Sequence, residues 1–305
     1  MKVLCFGSLN IDYVYSVDHF VTKGETLSST RLEVFTGGKG LNQSIALARA
    51  GAQVFHAGAI GPDGQFLLEA MGRAGVDTGH VAVLTDQRTG NAIIQRDREG
   101  DNCILLYGGA NQRITPAQID AVLDGFGQGD YLVVQNEINQ LPYLLRQAHA
   151  RGMAIVLNPS PMNEKIMALP LEAVDIFMLN EVEAAQLLGS GAEDGSFELA
   201  RGLRRRFPQA VIVLTVGGDG AIYTDSSTQF AQCAFRVDVR DTTAAGDTFT
   251  GFFLGGLISG QSPCQAMRQA AAAAAIACSR PGAAPSIPTA EEVTEFLRIA
   301  GKETP

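Results

Sequence analysis

The sequence has few of the features that mark membrane, secreted or nucleic-acid-binding proteins. No apolar run reaches the roughly 18 residues of a membrane-spanning helix. The first apolar run, residues 3–6, is too short for the core of a signal peptide. Acidic residues outnumber basic ones, and the net charge of −9 disfavours nucleic acid as the main partner. We therefore expect a cytoplasmic protein that binds neither membranes nor nucleic acids.

Cysteine and histidine are also scarce. The 5 cysteines are dispersed without a Cys-x-x-Cys pair, and the 4 histidines lack metal-ligand spacing. These absences argue against a zinc site and against a disulfide framework. Because most of the cysteines have apolar neighbours in the sequence, we expect buried thiols in a reducing compartment.

What the sequence does contain is a regular alternation of strand-like and helix-like segments after residue 53. This alternation predicts an α/β fold of the doubly wound type, with a mostly parallel sheet covered by helices on both faces. A chain of 305 residues can bury one large core, and neither an internal repeat nor a low-complexity linker is present. We therefore expect a single domain over residues 1–305.

Two segments interrupt the alternation, at about residues 12–36 and 78–106. Both contain strand patterns without an intervening helix, which is not typical of a βαβ unit. We expect their strands to form a small sheet that stands apart from the main body. A lid over a ligand site and a dimer-forming sheet are both open interpretations, and one sheet can serve as both.

Several polar or glycine residues come just after a predicted strand. In an open α/β sheet this position faces the ligand crevice. The alternative for the first of them is a simple turn, because Asn and Asp often form turns. The residues that share this position are Asn10, Asp12, Gln135, Asn136, Glu137, Asn158, Asn180, Glu183, Thr215, Gly217 and Gly220.

A glycine-led segment, Gly37 to Gly40, precedes a helical pattern. Consecutive glycines at a helix start allow a ligand to approach the backbone, although the spacing is not that of a Walker A motif. Lys39 and Asn42 have side chains suited to hydrogen bonds with a polyol. The alternative interpretation is a flexible turn followed by an ordinary helix.

A second segment combines small residues with two acids and precedes an apolar helix. Ala244, Ala245 and Gly246 would leave the amides of a helix N-terminus uncovered, which creates an anion site. A carboxylate beside such a site, that of Asp247, can take a proton from a hydroxyl during phosphoryl transfer. The alternative is an ordinary helix capped by Asp241 or Thr243.

In this order, the two segments resemble the signatures of the ribokinase family of carbohydrate kinases, and the resemblance covers essentially the full chain. They read Gly37-Gly38-x-Gly40-x-Asn42-x-Ser44 and Asp241-Thr242-x-Ala244-Ala245-Gly246-Asp247, with Asn180-Glu181-x-Glu183 between them. The resemblance implies a ribokinase-like sheet with a small β-sheet lid. It also implies ATP-dependent phosphorylation of the 5-hydroxyl of D-ribose by a homodimer joined through the lid sheet.

The same resemblance implies roles for individual residues. Asp247 is expected to be the base, with an anion hole formed by the amides of Ala244, Ala245 and Gly246. The expected sugar-binding residues are Asn10, Asp12, Gly38, Lys39, Asn42, Glu137 and Asp247. Asn180 and Glu183 are expected to position Mg²⁺ and phosphate through water, and Thr215, Gly217 and Gly220 to contact ATP. A loop for a monovalent cation, typically K⁺, is expected from Asp241, Thr243, Ala277, Arg280, Gly282 and Ser286.

Other functions on the same fold remain open at this point. One is a kinase for another sugar or a nucleoside, such as 2-deoxyribose, fructose or an adenosine-type substrate. The combination of Asp12, Asn42 and Glu137 with Asn10 favours ribose. Another is a non-catalytic sugar-binding protein, since fold does not imply function. That protein would be expected to lack Asp247 or the small residues before it, and both are present.

Overall fold

The computed structural model describes residues 1–189 and 195–301. Its strands, in chain order, are β1 (Val3–Phe6), β2 (Asn10–Ser16), β3 (Arg31–Gly37), β4 (Val54–Ile60), β5 (Asp77–Val83), β6 (Gly90–Arg96), β7 (Asn102–Tyr107), β8 (Tyr131–Gln135), β9 (Ala154–Asn158), β10 (Ile176–Asn180), β11 (Val211–Thr215), β12 (Ala221–Thr224) and β13 (Gln229–Gln232).

The helices alternate with these strands over most of the chain and become consecutive near its end. They are α1 (Lys39–Arg49), α2 (Gln65–Arg73), α3 (Pro116–Leu123), α4 (Leu141–Ala150), α5 (Glu181–Leu188), α6 (Ser196–Arg206), α7 (Ala245–Ile258), α8 (Pro263–Cys278) and α9 (Ala290–Ala300).

Most strands of the described residues form one 9-stranded sheet in the order β13-β12-β11-β10-β9-β8-β1-β4-β5. The pairs from β11 to β5 are parallel, and only β12 and β13 add antiparallel pairs at one edge. Alternate residues of β1 enter opposite cores: Leu4 and Phe6 pack on one face, and Val3 and Cys5 on the other. The sheet is therefore buried on both faces, which confirms the predicted doubly wound architecture.

The order of the strands reverses at the boundary between β1 and β8. From β1 the chain proceeds outward to β4 and β5, whereas β8 begins a second series that proceeds the other way to β11. Ligands of open α/β sheets bind at such a switch point, outside the carboxyl ends of the strands. The segments that follow β1 and β8 therefore face one crevice.

A separate four-stranded sheet, in the order β3-β2-β6-β7, lies beside this crevice. It confirms the prediction of a small sheet, with one correction. We expected the strand around Val81 and Val83 to belong to the small sheet, but β5 pairs in parallel with β4 as the edge strand of the large sheet. The alternating pattern of β5 reflects an edge position with one half-exposed face, which a lid strand would show equally well.

Helices α1 and α7 approach each other closely because α7 has glycine at the point of contact. A Cβ atom added at Gly251 would lie 2.3 Å from the Cβ of Ala46, and one at Gly255 would lie 2.5 Å from the Cβ of Ala50. Any side chain at either position would push the helices apart. This close packing brings the first turns of α1 and α7 together at the crevice.

The cysteines differ from our expectation. Only Cys5 is buried, whereas Cys103, Cys233 and Cys264 are exposed. Apolar neighbours in sequence did not imply burial, because Cys103 lies on β7, where every residue is exposed. All 5 are free thiols. None of the helices in the described part of the chain combines the length and apolar content needed to cross a membrane.

Candidate active site

Asp247 lies in the first turn of α7 and is almost completely buried, with 7% of its surface exposed. The residue before the helix, Ala244, has a left-handed backbone with φ of 60°. This conformation costs an alanine about 1 kcal/mol and is found mainly where the surrounding structure enforces it. The strained residue therefore marks the turn that delivers Asp247 into the crevice.

The N-terminus of α7 carries no side-chain cap within the described residues. Asp241 does not cap it: one carboxylate oxygen accepts from the amide and hydroxyl of Thr243, and the other accepts from the amide of Gly282. The alternative of an ordinary capped helix is therefore wrong. One amide of the expected anion hole, that of Ala245, donates to the carbonyl of Thr242 at 3.2 Å and closes the turn.

A cavity of about 240 Å³ opens in front of this turn. The end of the large sheet, the start of α5 and the start of α7 enclose it. The residues that line it are Lys39, Asn158, Ser160, Met178, Leu179, Asn180, Glu183, Thr215, Thr242, Ala244, Ala245, Gly246, Asp247 and Thr250. The cavity thus joins residues predicted for the base, the anion hole, the metal and ATP.

Asn180 and Glu183 are held together at the start of α5. The side chain of Asn180 accepts from the amide of Glu183 at 2.9 Å, and Glu183 Oε2 accepts from the amide of Asn180 at 3.0 Å. Nearby in the cavity, Asn158 donates to the carbonyl of Met178, while its buried Oδ1 has no partner among the described residues. Carboxylate and amide oxygens around such a space fit water-mediated binding of Mg²⁺.

Lys39 lies between the cavity and Glu137, and its side chain is largely shielded from water. Burial lowers the pKa of the Lys39 ammonium, but the carboxylates of Asp247, Glu137 and Glu183 offset this effect, and the net pKa is raised. Lys39 therefore places a positive charge beside the carboxylates of Asp247, Glu137 and Glu183.

On the other side of Asp247, Glu137 follows β8 and is fixed to the segment after β1. Its Oε2 accepts from the hydroxyl of Ser8 and, at 3.0 Å, from the amide of Lys39. Burial raises the pKa of Glu137, and these hydrogen bonds oppose the rise. The contacts span the switch point between β1 and β8, so the fold itself places this carboxyl group.

Asp12 lies on β2 in the small sheet. Burial raises its pKa to about 7, and the charge of Glu137 adds to the rise. A Cβ atom at Gly37 would lie 2.1 Å from Asp12 Oδ2, so only glycine permits this placement on the neighbouring strand. The small sheet thereby contributes an acid to the same crevice as Glu137.

Asn10, at the start of β2, is held by a residue that the sequence did not single out. Asn111 donates to Asn10 Oδ1 at 2.8 Å and to the carbonyl of Leu9 at 3.2 Å, and it accepts from the amide of Leu9 at 3.0 Å. No sequence signal identifies Asn111, because it lies in a short helical turn after β7 rather than at a strand end. Gly38, with φ of 95°, precedes α1 and packs against the carbonyl of Ser8.

Asn42, in the first turn of α1, is hydrogen-bonded to Asp247. Its Nδ2 donates to Asp247 Oδ2 at 3.0 Å, and its buried Oδ1 has no partner among the described residues. The neighbouring Gln43, which we did not predict, donates to Asp247 Oδ1 at 2.9 Å. Both amides come from the first turns of α1, which the close contact with α7 brings within reach.

Of the three residues predicted to contact ATP, one lines the cavity and two lie in the turn beyond it. Thr215 ends β11 and lines the cavity, whereas Gly217 and Gly220 lie in the turn that follows and are not among its described lining residues. Gly220 has a packing reason of its own, because a Cβ atom there would lie 2.0 Å from the carbonyl oxygen of Gln232.

The residues expected to bind a monovalent cation meet beside α7. The bond between Asp241 and the amide of Gly282 joins the segment before α7 to the loop after α8. In that loop, Arg280 pairs with Glu292, and the hydroxyl of Ser286 donates to the carbonyl of Ala283. The described residues contain no cluster of three His, Cys, Asp or Glu side chains suited to a metal. Backbone carbonyls and one carboxylate fit a weakly held ion such as K⁺ better than a transition metal.

Comparison with known families agrees with this geometry. The model for the pfkB family carbohydrate kinases matches residues 1–290, and the chain belongs to this family.

Individual relatives are similar over nearly their whole length. A ribokinase from Haemophilus influenzae is 34% identical over 302 residues, which cover 96% of this chain and 97% of that protein. The structure of a ribokinase from Cryptococcus neoformans in complex with ADP matches with a TM-score of 0.84 and 34% identity, over 96% of this chain and 99% of the other. An Arabidopsis thaliana ribokinase complexed with ribose and ATP has a TM-score of 0.85 and 26% identity, over 97% and 98%.

Proposed function

We propose that this protein is a sugar kinase that transfers the γ-phosphoryl group of ATP to the 5-hydroxyl of D-ribose. The observation that carries the proposal is the position of Asp247. Its buried carboxylate lies between the cavity at the N-terminus of α7 and the polar cluster of Asn10, Asp12 and Glu137. The ribokinases to which the chain is similar, one of them complexed with ribose and ATP, support the choice of both substrates.

In the proposed reaction, the Asp247 carboxylate takes the proton of the 5-hydroxyl as the oxygen attacks the γ-phosphorus. The bond between the γ-phosphorus and the bridging oxygen breaks, and ADP leaves. The amides of Ala244, Ala245 and Gly246 and the dipole of α7 stabilise the charge on the transferring group. In this mechanism the Ala245 amide, which donates to the carbonyl of Thr242 at 3.2 Å, would turn to a phosphoryl oxygen.

Ribose is held on the opposite side of Asp247. Carboxylates accept hydroxyl protons and amide side chains can both donate and accept, so this set can satisfy each hydroxyl of a pentose. The Oδ1 of Asn42 is buried without a partner among the described residues, so a sugar hydroxyl that reached it would satisfy it. The proposed sugar-binding residues are Asn10, Asp12, Gly38, Lys39, Asn42 and Glu137.

The phosphates of ATP and their Mg²⁺ would occupy the cavity. Asn180 and Glu183 would hold the ion through water, and the charge of Lys39 would face the phosphates. When bound, Mg²⁺ neutralises charge on the phosphoryl oxygens. Thr215, Gly217 and Gly220 form the proposed edge of the nucleotide site, with Thr215 lining the cavity.

A K⁺ ion in the loop of Asp241, Thr243, Ala277, Arg280, Gly282 and Ser286 would act without touching substrate. The bond from Gly282 to Asp241 makes this loop part of the support for the turn before α7. Replacing K⁺ by tetramethylammonium should therefore lower the rate, because the larger ion cannot enter the loop. Equal rates in both salts would contradict this assignment.

The small sheet is proposed to hold a second copy of the chain. Val34, Tyr13, Ile93 and Leu105 form one apolar row across its four strands, and Leu105 is 67% exposed. Asp12 is adjacent to Tyr13 in β2 and so points to the other face, toward the crevice. A second copy on the apolar row would cover it and leave the sugar site open.

Sedimentation tests this homodimer. We expect the protein to be a dimer and its Leu105→Lys variant to be a monomer. The matched control is Ile299→Lys, which alters an exposed apolar side chain of α9 and should leave the dimer intact. A monomeric wild-type protein, or a dimeric Leu105→Lys variant, would contradict the proposal.

We place the protein in the cytoplasm, where ATP is available and where free exposed thiols persist.

The substrate is tested by offering ATP with a panel of D-ribose, 2-deoxyribose, fructose and adenosine. We expect kcat/KM to be highest for D-ribose and the product to be the 5-phosphate. A higher kcat/KM for any other member would replace ribose by that compound. No turnover with any member would contradict the proposed reaction.

A further inference from the structure

Asp247 is held by two amides rather than one, and the second belongs to a residue with no place in the reaction proposed above. Gln43 is fully buried, and its Nε2 donates to Asp247 Oδ1 at 2.9 Å while Asn42 donates to Oδ2. With both oxygens engaged, the carboxylate cannot rotate without breaking a buried hydrogen bond. Each oxygen still has a lone pair for a hydroxyl proton.

Gln43 is itself held from behind. Its Oε1 accepts from Nε2 of Gln135 at 2.6 Å, and Gln135 is buried at the end of β8. The direction of this chain is fixed by chemistry, because an ionised carboxylate can only accept. Gln43 must therefore turn its NH₂ group to Asp247 and its oxygen to Gln135, and Gln135 must turn its NH₂ group to Gln43.

The last residue of this hydrogen-bond chain, Gln135, has an unpaired acceptor that lowers stability. Gln135 Oε1 is buried without a hydrogen-bond partner among the described residues. An unpaired buried acceptor destabilises a protein, and such groups persist mainly where they serve another purpose. Reversing the Gln135 amide would face its oxygen toward that of Gln43, so the unpaired acceptor follows from the orientation that Asp247 requires.

We infer that Gln43, oriented by Gln135, is a positioning residue for phosphoryl transfer. It fixes the plane of the Asp247 carboxylate toward the attacking hydroxyl and touches neither ribose nor ATP. Gln135 belongs to the central sheet, so these hydrogen bonds connect the rigid core of the protein to Asp247. The inference rests on the proposed function, because it assigns Asp247 the role of base.

The first test is Gln43→Met, which retains size and removes the donor. We expect kcat to fall about 10-fold to 100-fold, as for a misplaced reacting group, with little change in the Kd for ribose. The matched control is Thr248→Val, one residue along α7. Thr248 is fully buried and its hydroxyl has no partner among the described residues, so this variant should retain wild-type kcat.

The second test is the pH dependence of Gln43→Glu. A second carboxyl group beside Asp247 disfavours ionisation of both, so the acid limb of the kcat profile should move to higher pH by about one unit or more. A residue that only fills space would leave this limb in place. The titratable groups that face Asp247 from the packed elements, Lys39, Glu137 and Cys5, are unchanged in the variant.

The third test is a double-mutant cycle with Gln135→Leu. If Gln135 acts through Gln43, the Gln135→Leu variant should lower kcat less than Gln43→Met does. The double variant should then have a kcat no lower than that of Gln43→Met alone. Additive losses, an unmoved acid limb in Gln43→Glu, or a Gln43→Met kcat equal to that of Thr248→Val would overturn the inference. The proposed function fails separately, by an inactive wild-type protein or an active Asp247→Asn variant.

Discussion

The two halves of the crevice are built from different kinds of groups. On the proposed sugar side, side chains are hydrogen-bonded to one another in the ligand-free fold: Ser8 to Glu137, and Asn111 to Asn10. On the phosphate side, the main groups are the backbone amides before Asp247 and an open cavity, in which Asn158 keeps an unpaired oxygen.

This difference suggests that the two halves have different tasks, one in recognising the sugar and the other in phosphoryl transfer. If the first cluster binds the sugar as proposed, it is preorganised, so ordering would cost little on binding and the hydroxyls would meet fixed partners. The proposed phosphate side keeps a buried acceptor without a partner among the described residues, Asn158 Oδ1, which bound Mg²⁺ or its water would satisfy. Asp247 lies between the halves, so changes in either half should separate binding from turnover.

Among the changes confined to one half of the crevice, the largest effect is expected from Glu137→Gln. The variant loses charge-assisted hydrogen bonds to the sugar, which are worth about 1.5–3 kcal/mol or roughly 10-fold to 100-fold in affinity. Calorimetry should show a weaker Kd for ribose and an unchanged Kd for ATP. Equal weakening of both would mean that the halves are not separate.

The converse change is Glu183→Gln on the phosphate side. It removes the charge of a buried carboxylate in the cavity but retains an oxygen for the bond to the amide of Asn180. We expect the KM for MgATP to rise about 10-fold while ribose binding is retained. A variant that loses ribose affinity and keeps its KM for MgATP would reverse the assignment.

A smaller loss of activity is expected from Gly251→Ala. This change disturbs the contact between α1 and α7 that brings the two halves of the crevice together. The added methyl group would meet Ala46 and force α1 from α7, with a loss of about 1–3 kcal/mol in stability. The side-chain amides of Asn42 and Gln43 would then move away from Asp247, and kcat should fall. Thermal unfolding and kinetics measure both effects.

The control for Gly251→Ala is Gly72→Ala in α2, where an added Cβ atom meets nothing within 4 Å. That variant should gain about 0.5–1 kcal/mol, because alanine favours a helix over glycine. A Gly251→Ala variant as stable and active as this control would show that the helices tolerate separation.

The smallest effect concerns Asp12 and pH. Its pKa is raised from 3.8 to about 7 in the folded protein, so ionised Asp12 destabilises the sugar-free fold above pH 7. This destabilisation disappears as the pH falls from 7 to 4. Asp12→Asn should therefore raise Tm by a few degrees at pH 8 and leave it unchanged at pH 4, while weakening ribose binding. A Tm difference independent of pH would contradict the burial of a charged Asp12.

The sequence predicted those parts of the site that lie in strand ends and glycine-led helix starts. Asn10, Asp12, Glu137 and Glu183 follow strands of a sheet whose alternating pattern was clear, and the fold class followed from the same pattern. The small residues before Asp247 signalled an uncapped helix, and α7 has no side-chain cap. Their roles in binding and catalysis stay predictions until tested.

Other features depend on packing that a linear pattern does not contain. Gln43 and Asn111 reach the site only because α1 meets α7 and because the turn after β7 folds back onto β2. The edge position of β5 was missed because an edge strand and a lid strand share one pattern. The expectation that cysteines with apolar neighbours are buried was wrong for Cys103, because the apolar residues of β7 are themselves exposed.

The most direct test of the account is Asp247→Asn, measured by ribose binding and by steady-state kinetics. The amide keeps the size of the side chain and removes the proton acceptor. We predict that ribose still binds, whereas kcat falls about 10²-fold to 10⁴-fold. A variant with folded structure, intact ribose binding and near wild-type kcat would contradict the central claim that this carboxylate is the base.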